Sequence, residues 1–542
     1  MSPRAKKARQ SESPENRNNT TASNLADRVW SRWKTGLAAA AVILACWQVW
    51  SFTLVLYARL AYPELGNDFL GAFERMVEHK PIYGEVSREF IPLIYFPGIF
   101  VAVRLWSCIF GFSVSSVLAF YLVLIVITLA MIWLLARLAG CGRKEAVLAP
   151  IIWMGFTGSG VVTPLAIGPD TLMVALVLAG VTCLAAGNSW RWLFGGGAFF
   201  SAAALTKQNM APLALLPTLL ALVLNRSFRD FIVTLIPPAV AGILAVIADR
   251  MLGGHMFEVT LGSVAGHPFT TREWASKLSL MVLGLGTPCL ALALMAAAFH
   301  PKTEWRQPQA AGPALALLFL MVVGYAGHMK LGGGPPHLQP FYTLLIPLSL
   351  GRGSRALRGT FPVQGPVIWM ILSVLQLGRC LYEPRTFVDA LKMAYERQMQ
   401  LLEYFKSVDG PVLYASDTQC YLVRHAGKPP VFSRNQLHGL LYGGSTRGLD
   451  EHGLPPDMTK ALRQHYYAAV VYEVPTLANC PLLAAVRKYY VLEGRWPGPG
   501  YDVGVPLALS ALTSKEIYRR PTASDHPSTP PSVSTKPAAS DG

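Results

Sequence analysis

Charged and polar side chains that could carry out chemistry lie in short segments between long apolar runs. Residues 62–97 follow the first apolar run and contain Asp68, and a later Gly-Pro-Asp turn contains Asp170. A carboxylate beside a hydroxyl group can take its proton during an attack, so both aspartates are candidates for acid–base chemistry. Glu64, Tyr83 and Arg88 are further candidates in residues 62–97. The remaining candidates, farther along the chain, are Lys207, Arg272, Lys330, His337 and Gln339.

The composition indicates a membrane protein. Of the 542 residues, 52% are hydrophobic and 14% are charged, whereas about a quarter of the residues in soluble domains are charged. The formal charge is +16, but the basic residues are scattered between apolar runs, so membrane topology explains them better than nucleic acid does. An unpaired charge close to the membrane interior costs free energy, so a charged residue there is expected to have a function. The charged candidates are therefore treated as functional residues.

Eleven membrane spans are predicted in the first 380 residues, since each apolar run is long enough to cross a bilayer. The inner connecting segments hold most of the lysines and arginines if the N-terminus is inside, and this places the candidate residues outside. Residues 91–110 are apolar but contain two prolines and Arg104, so we interpret them as an interfacial or re-entrant helix. The predicted spans are 37–57, 113–136, 146–163, 171–187, 192–206, 209–224, 230–252, 277–299, 311–328, 338–350 and 364–380.

The chain divides into four parts by composition. A helix at 385–407 and strand-like runs at 412–415, 468–472 and 489–492 predict a small α/β domain near the C-terminus. The eight cysteines include no C-x-x-C pair, and a disulfide between Cys420 and Cys480 is left open. The predicted parts are a disordered cytoplasmic arm (1–35), a transmembrane catalytic domain (36–380) with its first outer loop at 58–112, an extracytoplasmic α/β domain (381–520) and a disordered tail (521–542).

Several short motifs occur in order along residues 35–380 and carry a resemblance to a known superfamily. They are Asn67-Asp68, Lys80-Pro81-Ile82-Tyr83, Phe110-Gly111-Phe112-Ser113, Gly168-Pro169-Asp170, Ala204-Leu205-Thr206-Lys207-Gln208 and His337-Leu338-Gln339-Pro340-Phe341-Tyr342. This order resembles the GT-C superfamily of polyprenyl-linked glycosyltransferases, which includes protein O-mannosyltransferases and lipid A aminoarabinose transferases. Many relatives have two adjacent acids in the first loop, whereas here the first position is Asn67, with Glu64 as an alternative second carboxylate.

The resemblance implies an α-helical polytopic GT-C-like fold and an enzyme of the bacterial inner (plasma) membrane. The enzyme would transfer a sugar, with inversion, from a polyprenyl phosphate to a hydroxyl of a cell-envelope glycan, lipid or protein on the outer face. Its partners would be this donor, the acceptor and membrane lipid, with no nucleic acid, and no metal cofactor is indicated. The family's acid matches Asp68, and Asp170 is the second catalytic candidate.

The leaving group in such a reaction is a phosphate anion, so cationic side chains must balance the charge that develops on it. The candidates for this role are Lys207, Arg88, Arg272 and Lys330, and those for binding substrate are Tyr83, Glu64, His337 and Gln339.

Each candidate also has a structural interpretation. Asp68 and Asp170 could each cap a following helix, Lys207 could be an interfacial lysine that extends to water, and His337 could be a satisfied loop histidine. The spacing of His255, Glu258 and His267 fits no helical metal-binding pair. The alternative function is a transporter or lipid-linked-sugar flippase, although the sequence has no internal repeat of the kind such proteins use.

Overall fold

The computed structural model describes residues 14–521, apart from several internal gaps. The gaps are 263–264, 266, 268, 270–285, 300–305, 331–334, 363, 417–419, 429–436, 438–440, 442–447, 474–480 and 497–514. Arg272, Cys480, part of the predicted span 277–299 and the predicted tail from 522 onward therefore lie outside the described residues.

Helices make up the N-terminal two thirds of the chain. Most form from apolar runs, because a backbone in lipid must satisfy its hydrogen bonds internally. In chain order they are α1 (Pro14–Ala61), α2 (Asp68–Val77), α3 (Gly98–Phe110), α4 (Val114–Ala139), α5 (Leu148–Gly155), α6 (Asp170–Ala186), α7 (Trp190–Thr206), α8 (Ala211–Ala214), α9 (Leu216–Leu220), α10 (Phe228–Met251), α11 (Thr287–Phe299), α12 (Pro308–Met329), α13 (Gln339–Thr360) and α14 (Gly365–Arg379).

Six helical segments among the described residues are long and apolar enough to cross a membrane by length and composition. The polytopic helical fold is therefore confirmed, while the count of eleven spans stays a prediction. Helix α3 has 13 residues and is about 20 Å long, shorter than a hydrocarbon core of about 30 Å. This length agrees with the interfacial interpretation of residues 91–110. The six segments are Thr35–Ala61, Val114–Ala139, Gln208–Asn225, Phe228–Met251, Pro308–Met329 and Gly365–Ser407.

Two boundaries differ from the predictions. Helix α1 begins at Pro14, so residues 14–35 of the arm predicted to be disordered are helical. No proline or glycine interrupts residues 15–35, and the apolar helix can continue through them. The run predicted to span 146–163 is α-helical only to Gly155. It ends in a glycine-rich turn where Gly158 lies against the Tyr382 ring, with no room for a side chain.

The C-terminal part contains a small four-stranded sheet. It comprises α15 (Pro384–Ser407), β1 (Val412–Ala415), α16 (Leu422–His425), α17 (Pro456–Arg463), β2 (Ala469–Glu473), α18 (Pro481–Tyr489), β3 (Val491–Trp496) and β4 (Lys515–Arg519). The strand order is β1-β2-β4-β3, with β1 and β2 parallel and the other two pairings antiparallel. The predicted α/β sheet is thus present, with β4 as a strand that the prediction missed.

The segment between α1 and α2 is attached to this C-terminal part. The Leu65 amide donates to Oε1 of Gln398 at 2.9 Å, and the Tyr421 amide donates to the Gly66 carbonyl at 2.8 Å. Arg424 pairs with Glu74 of α2 at 3.1 Å. These contacts hold the start of α2 in place. Because Asp68 is the first residue of α2, they also position Asp68.

Candidate active site

An ion pair between Lys207 and Asp170 forms the centre of the site. Asp170 is the first residue of α6, and Lys207 follows the last residue of α7 in an extended backbone conformation. Lys207 Nζ lies 2.6 Å from Asp170 Oδ1, and the two side chains are 7% and 31% exposed. A buried ammonium needs such a partner, because desolvation otherwise outweighs the attraction that it gains.

Tyr95 links this ion pair to Asp68. Lys207 Nζ lies 6.0 Å from the centre of the Tyr95 ring. Burial raises the pKa of Tyr95, and the negative charges of Asp170 and Asp68 raise it further. Both carboxylates therefore act electrostatically on the same phenol, and the ring of Phe69, the residue after Asp68, lies 5.4 Å from the Tyr95 ring between their centres. The sequence analysis did not include Tyr95 among the candidates. Its position between Pro92 and Pro97 in the outer segment could have indicated an aromatic residue held in an ordered loop.

The loop that carries Tyr95 is held by hydrogen bonds from side chains to its backbone carbonyls. The Tyr83 hydroxyl donates to the Tyr95 carbonyl, and Gln208 Nε2 donates to the Ile94 carbonyl at 2.9 Å. Tyr83 is fully buried, and its amide donates to the Leu252 carbonyl at 2.8 Å. In this structure Tyr83 thus supports the Tyr95 loop and offers no surface to a substrate, which differs from its predicted binding role.

His337 lies within electrostatic reach of the ion pair, in the short turn Pro335–Leu338 that precedes α13. Burial and the positive charge of Lys207 lower the pKa of His337 to about 3, against an opposing effect of Asp170. The imidazole is therefore neutral near pH 7. Gly327 permits this placement, because a Cβ there would stand 2.7 Å from His337 Nδ1.

Lys330 and Gln339 lie on either side of the His337 turn. Lys330 contributes to the lowered His337 pKa, and its amine lies 5.4 Å from the centre of the Phe269 ring. Gln339 is buried and begins α13. His337 thus adds a neutral imidazole to the surroundings of Lys207, and Lys330 adds a second ammonium.

Arg88 belongs to a different surface. Its amide donates to both carboxylate oxygens of Asp457 at 3.0 Å, and its guanidinium lies 4.5 Å from the centre of the Tyr466 ring. It lines an open groove between α2 and the C-terminal part, which we call the outer groove. The other residues of the outer groove are Gly71, Glu74, Arg75, Glu78, Lys80, Glu89, Phe90, Arg424 and Tyr466. The partners of Arg88 are thus on the C-terminal part, and its role in binding the donor phosphate stays a prediction.

Glu64 lies before α2, where it accepts a hydrogen bond from Asn67 Nδ2 at 3.5 Å. It also faces Arg59 across a small cavity. Glu64 is therefore connected to the start of α2, next to Asp68.

The capping interpretations of the two aspartates are wrong. Asn67 is the N-cap of α2, and its side chain accepts from the Phe69 amide at 3.0 Å, so Asp68 is the first helical residue. The N-cap position of α6 is Pro169, with no side-chain cap, and the Asp170 carboxylate points to Lys207 instead. Lys207 does not extend to water, because its ammonium is buried in this pair.

Within the described part of the chain, no group of three His, Cys, Asp or Glu side chains could hold a metal ion. His255 Nδ1 lies 3.6 Å from Glu258 Oε2 as an i,i+3 pair. His255 and Glu258 thus pair at i,i+3, a spacing that the sequence analysis did not expect to form a pair, but the contact does not make a metal site.

Part of the sequence and the fold of the chain are similar to known proteins. Residues 96–249, which include Asp170 and Lys207, match the family model described as dolichyl-phosphate-mannose-protein mannosyltransferase. The apo structure of ArnT from Cupriavidus metallidurans is similar at 12% identity, with a TM-score of 0.52, over 90% of this chain and 98% of that chain. The apo oligosaccharyltransferase of Archaeoglobus fulgidus is similar at 11% identity, with a TM-score of 0.50, over 81% of this chain and 69% of that chain. No curated protein matches the chain.

The match and the shared fold confirm the resemblance to the GT-C superfamily and the class of enzyme predicted from the sequence. They do not test individual site residues, so the roles of Asp68, Asp170 and Lys207 stay predictions.

Proposed function

We propose that this chain, which has the GT-C fold, is a multi-pass membrane glycosyltransferase that uses a polyprenyl-phosphate-linked sugar as donor. The family described by its match takes a sugar from dolichyl phosphate, which is a polyprenyl phosphate. The observation that carries the proposal is the ion pair of buried Lys207 with Asp170 inside the matched region, with Asp68 and His337 within electrostatic reach of it.

Lys207 receives the donor phosphate in this proposal. An ammonium has three donors, and Asp170 takes one of them at 2.6 Å. The other two can bind phosphate oxygens of the donor, in surroundings where little water weakens the attraction. Lys330 adds positive charge nearby, and neutral His337 can donate one hydrogen bond without adding charge.

Asp68 is the general base. The acceptor hydroxyl oxygen attacks the anomeric carbon from the face opposite the phosphate and gives its proton to the Asp68 carboxylate. The bond between the anomeric carbon and the phosphate oxygen breaks, and its electron pair leaves with the polyprenyl phosphate. The configuration at the anomeric carbon is inverted. Asp170 is assigned to holding Lys207, because its carboxylate is already engaged there.

The acceptor approaches through the outer groove. Gly71, Arg75 and Glu78 are three, seven and ten residues beyond Asp68 in and after α2, and residues at such spacing share one helix face. The groove therefore leads along that face to Asp68. Its mixture of carboxylates, guanidinium groups and an aromatic ring suits a hydroxyl-rich acceptor such as a cell-envelope glycan.

The site lies on the outer face of the plasma membrane in this proposal. The N-terminus is then cytoplasmic, and the C-terminal part is extracytoplasmic. The positive residues of the opposite helix ends support this orientation through the positive-inside rule.

Lipid analysis of a strain lacking the protein tests the function. We expect an accumulated polyprenyl-phosphate sugar together with an envelope product that lacks the sugar. Expression of the wild type should restore both, and expression of Asp68→Asn at the same level in the membrane should restore neither. An unchanged lipid and glycan profile in the deletion strain would refute the proposed donor class.

A further inference from the structure

The guanidinium group of Arg59 is buried, and one of its edges lacks hydrogen bonds. Arg59 is the third-last residue of α1 and is 5% exposed. Its Nε and Nη2 atoms are buried, and neither has a hydrogen-bond partner among the described residues. The Phe387 ring lies 5.6 Å from the guanidinium carbon, and this contact attracts the charge but gives the edge no acceptor. Because a buried donor without an acceptor costs free energy, this edge of Arg59 requires a partner.

Arg59 lines a small cavity that is partly polar. The volume of the cavity is about 20 Å³, whereas a buried water needs at least about 10–15 Å³ and two to four polar partners. Tyr62, Glu64 and Gln398 supply the other polar side chains of the lining. The cavity therefore has room for one water and not for a ligand of several atoms.

Glu64 supplies an acceptor on the other side of this cavity. Its carboxylate lies within electrostatic reach of Arg59, yet it forms no hydrogen bond with Nε or Nη2. A water between them accepts from the Arg59 edge through its oxygen and donates a proton to the carboxylate. Because the carboxylate also balances the charge of Arg59, the cavity needs no further anion.

The cavity lies between the segments that lead to the two aspartates of the site. Glu64 is four residues before Asp68, and it accepts a hydrogen bond from Asn67, the N-cap of α2. Ile167, which also lines the cavity, is three residues before Asp170. A bridge in this cavity therefore helps to hold the segment in which α2 begins.

We propose that Arg59 is a positioning residue that binds one buried water and, through it, holds Glu64 in place before Asp68. The consequence for transfer rests on the proposed function, in which Asp68 is the general base. Arg59 acts on the reaction through Glu64 and the start of α2, and it touches neither the donor nor the acceptor.

A double-mutant cycle on the melting temperature of the full chain in detergent tests the bridge without any sugar transfer. The variants are Arg59→Met, Glu64→Gln and the double variant. Because the two side chains share one water, Glu64→Gln should lower the melting temperature of the wild type clearly more than that of Arg59→Met. The matched cycle of Lys392→Met and Glu396→Gln removes an exposed pair of α15, and its effects should add. Equal effects of Glu64→Gln in both backgrounds would overturn the proposal.

An experimental structure that shows ordered waters gives a second measurement, which does not depend on whether any variant folds. We expect density for one water about 3 Å from Nε or Nη2 of Arg59 and at a similar distance from the Glu64 carboxylate. An empty cavity, or a direct bond between the two side chains, would overturn the proposal.

The transfer kinetics of folded variants test the positioning role. A misplaced base slows the chemical step and leaves the donor site intact, so Arg59→Met should have a turnover about tenfold lower with an unchanged donor KM. Arg59→Lys keeps a charged donor for the water and should recover most of the loss. Wild-type turnover in Arg59→Met, or a raised donor KM as its only defect, would overturn the positioning role. Absence of transfer by the wild type would instead refute the proposed function, and the melting cycle would still decide whether the bridge exists.

Discussion

Lys207→Met is the substitution that tests the proposed mechanism most directly. Its ammonium lies 2.6 Å from Asp170 and is buried, so a donor phosphate beside it would also be shielded from water. Two unit charges about 4 Å apart attract by about 4 kcal/mol at an effective dielectric constant of about 20. Loss of that attraction in the transition state corresponds to a turnover about a thousandfold lower.

Two control variants separate this effect from structural damage. Lys207→Met leaves the Asp170 carboxylate without its partner, which by itself can destabilise the protein. The double variant Lys207→Met/Asp170→Asn removes that carboxylate charge, and we expect it to stay as slow as the single variant. Lys392→Met removes an exposed lysine of α15 that pairs with Glu396 at 3.9 Å, and it should keep wild-type turnover.

The assay measures release of polyprenyl phosphate from a purified polyprenyl-phosphate sugar by mass spectrometry. Gel filtration and melting temperature show whether each variant is folded. A folded Lys207→Met protein that retains more than about a tenth of wild-type turnover would refute the role of the ammonium. Recovery of activity in the double variant would show that the unpaired carboxylate, and not the lost cation, caused the defect.

Four further predictions concern the site and the topology. Asp68→Asn should abolish transfer in a folded protein, because an amide cannot take the acceptor proton; near-normal transfer would exclude Asp68 as the base. Burial and Lys207 lower the His337 pKa from 6.5 to about 3, so the unfolded chain binds the extra proton between these values and stability should rise with pH across this window. Melting temperatures at pH 5 and pH 7 should therefore differ more for the wild type than for His337→Gln, and equal differences would contradict this. A reporter fused after Arg385 should lie outside the cytoplasm, and a chelator should leave the transfer rate unchanged; a cytoplasmic signal or a loss of rate restored by Mg²⁺ would contradict these two expectations.

The central ion pair follows from features that are local in the sequence. Helices α6 and α7 have 17 residues each and are joined by three residues. Two equal helices with a short connection run antiparallel, so the start of one and the end of the other lie at the same level. The predicted spans 171–187 and 192–206 already placed Asp170 and Lys207 at these two ends.

The rest of the site depends on contacts between distant parts of the chain. The Arg88 amide meets Asp457 across 369 positions, and no local pattern reveals such a partner. The N-cap of α2 was misassigned for another reason: Asn and Asp are about equally favoured at that position, so the pair Asn67-Asp68 fits a helix start at either residue. The side-chain bond from Asn67 to the Phe69 amide decides between them.

The proposed active site lies between the α6–α7 hairpin and the start of α2, and different contacts hold each of them in place. The helical hairpin of α6 and α7 holds Lys207 against Asp170. The start of α2, and with it Asp68, is fixed by bonds from Leu65 to Gln398 and from Tyr421 to Gly66, which come from the C-terminal part. In the proposed mechanism the base and the phosphate-binding cation lie on separate units, so the C-terminal part contributes to transfer by setting the place of Asp68. The centre of the Tyr95 ring lies 6.0 Å from Lys207 Nζ and 5.4 Å from the centre of the Phe69 ring of α2, so the Tyr95 loop packs against both units.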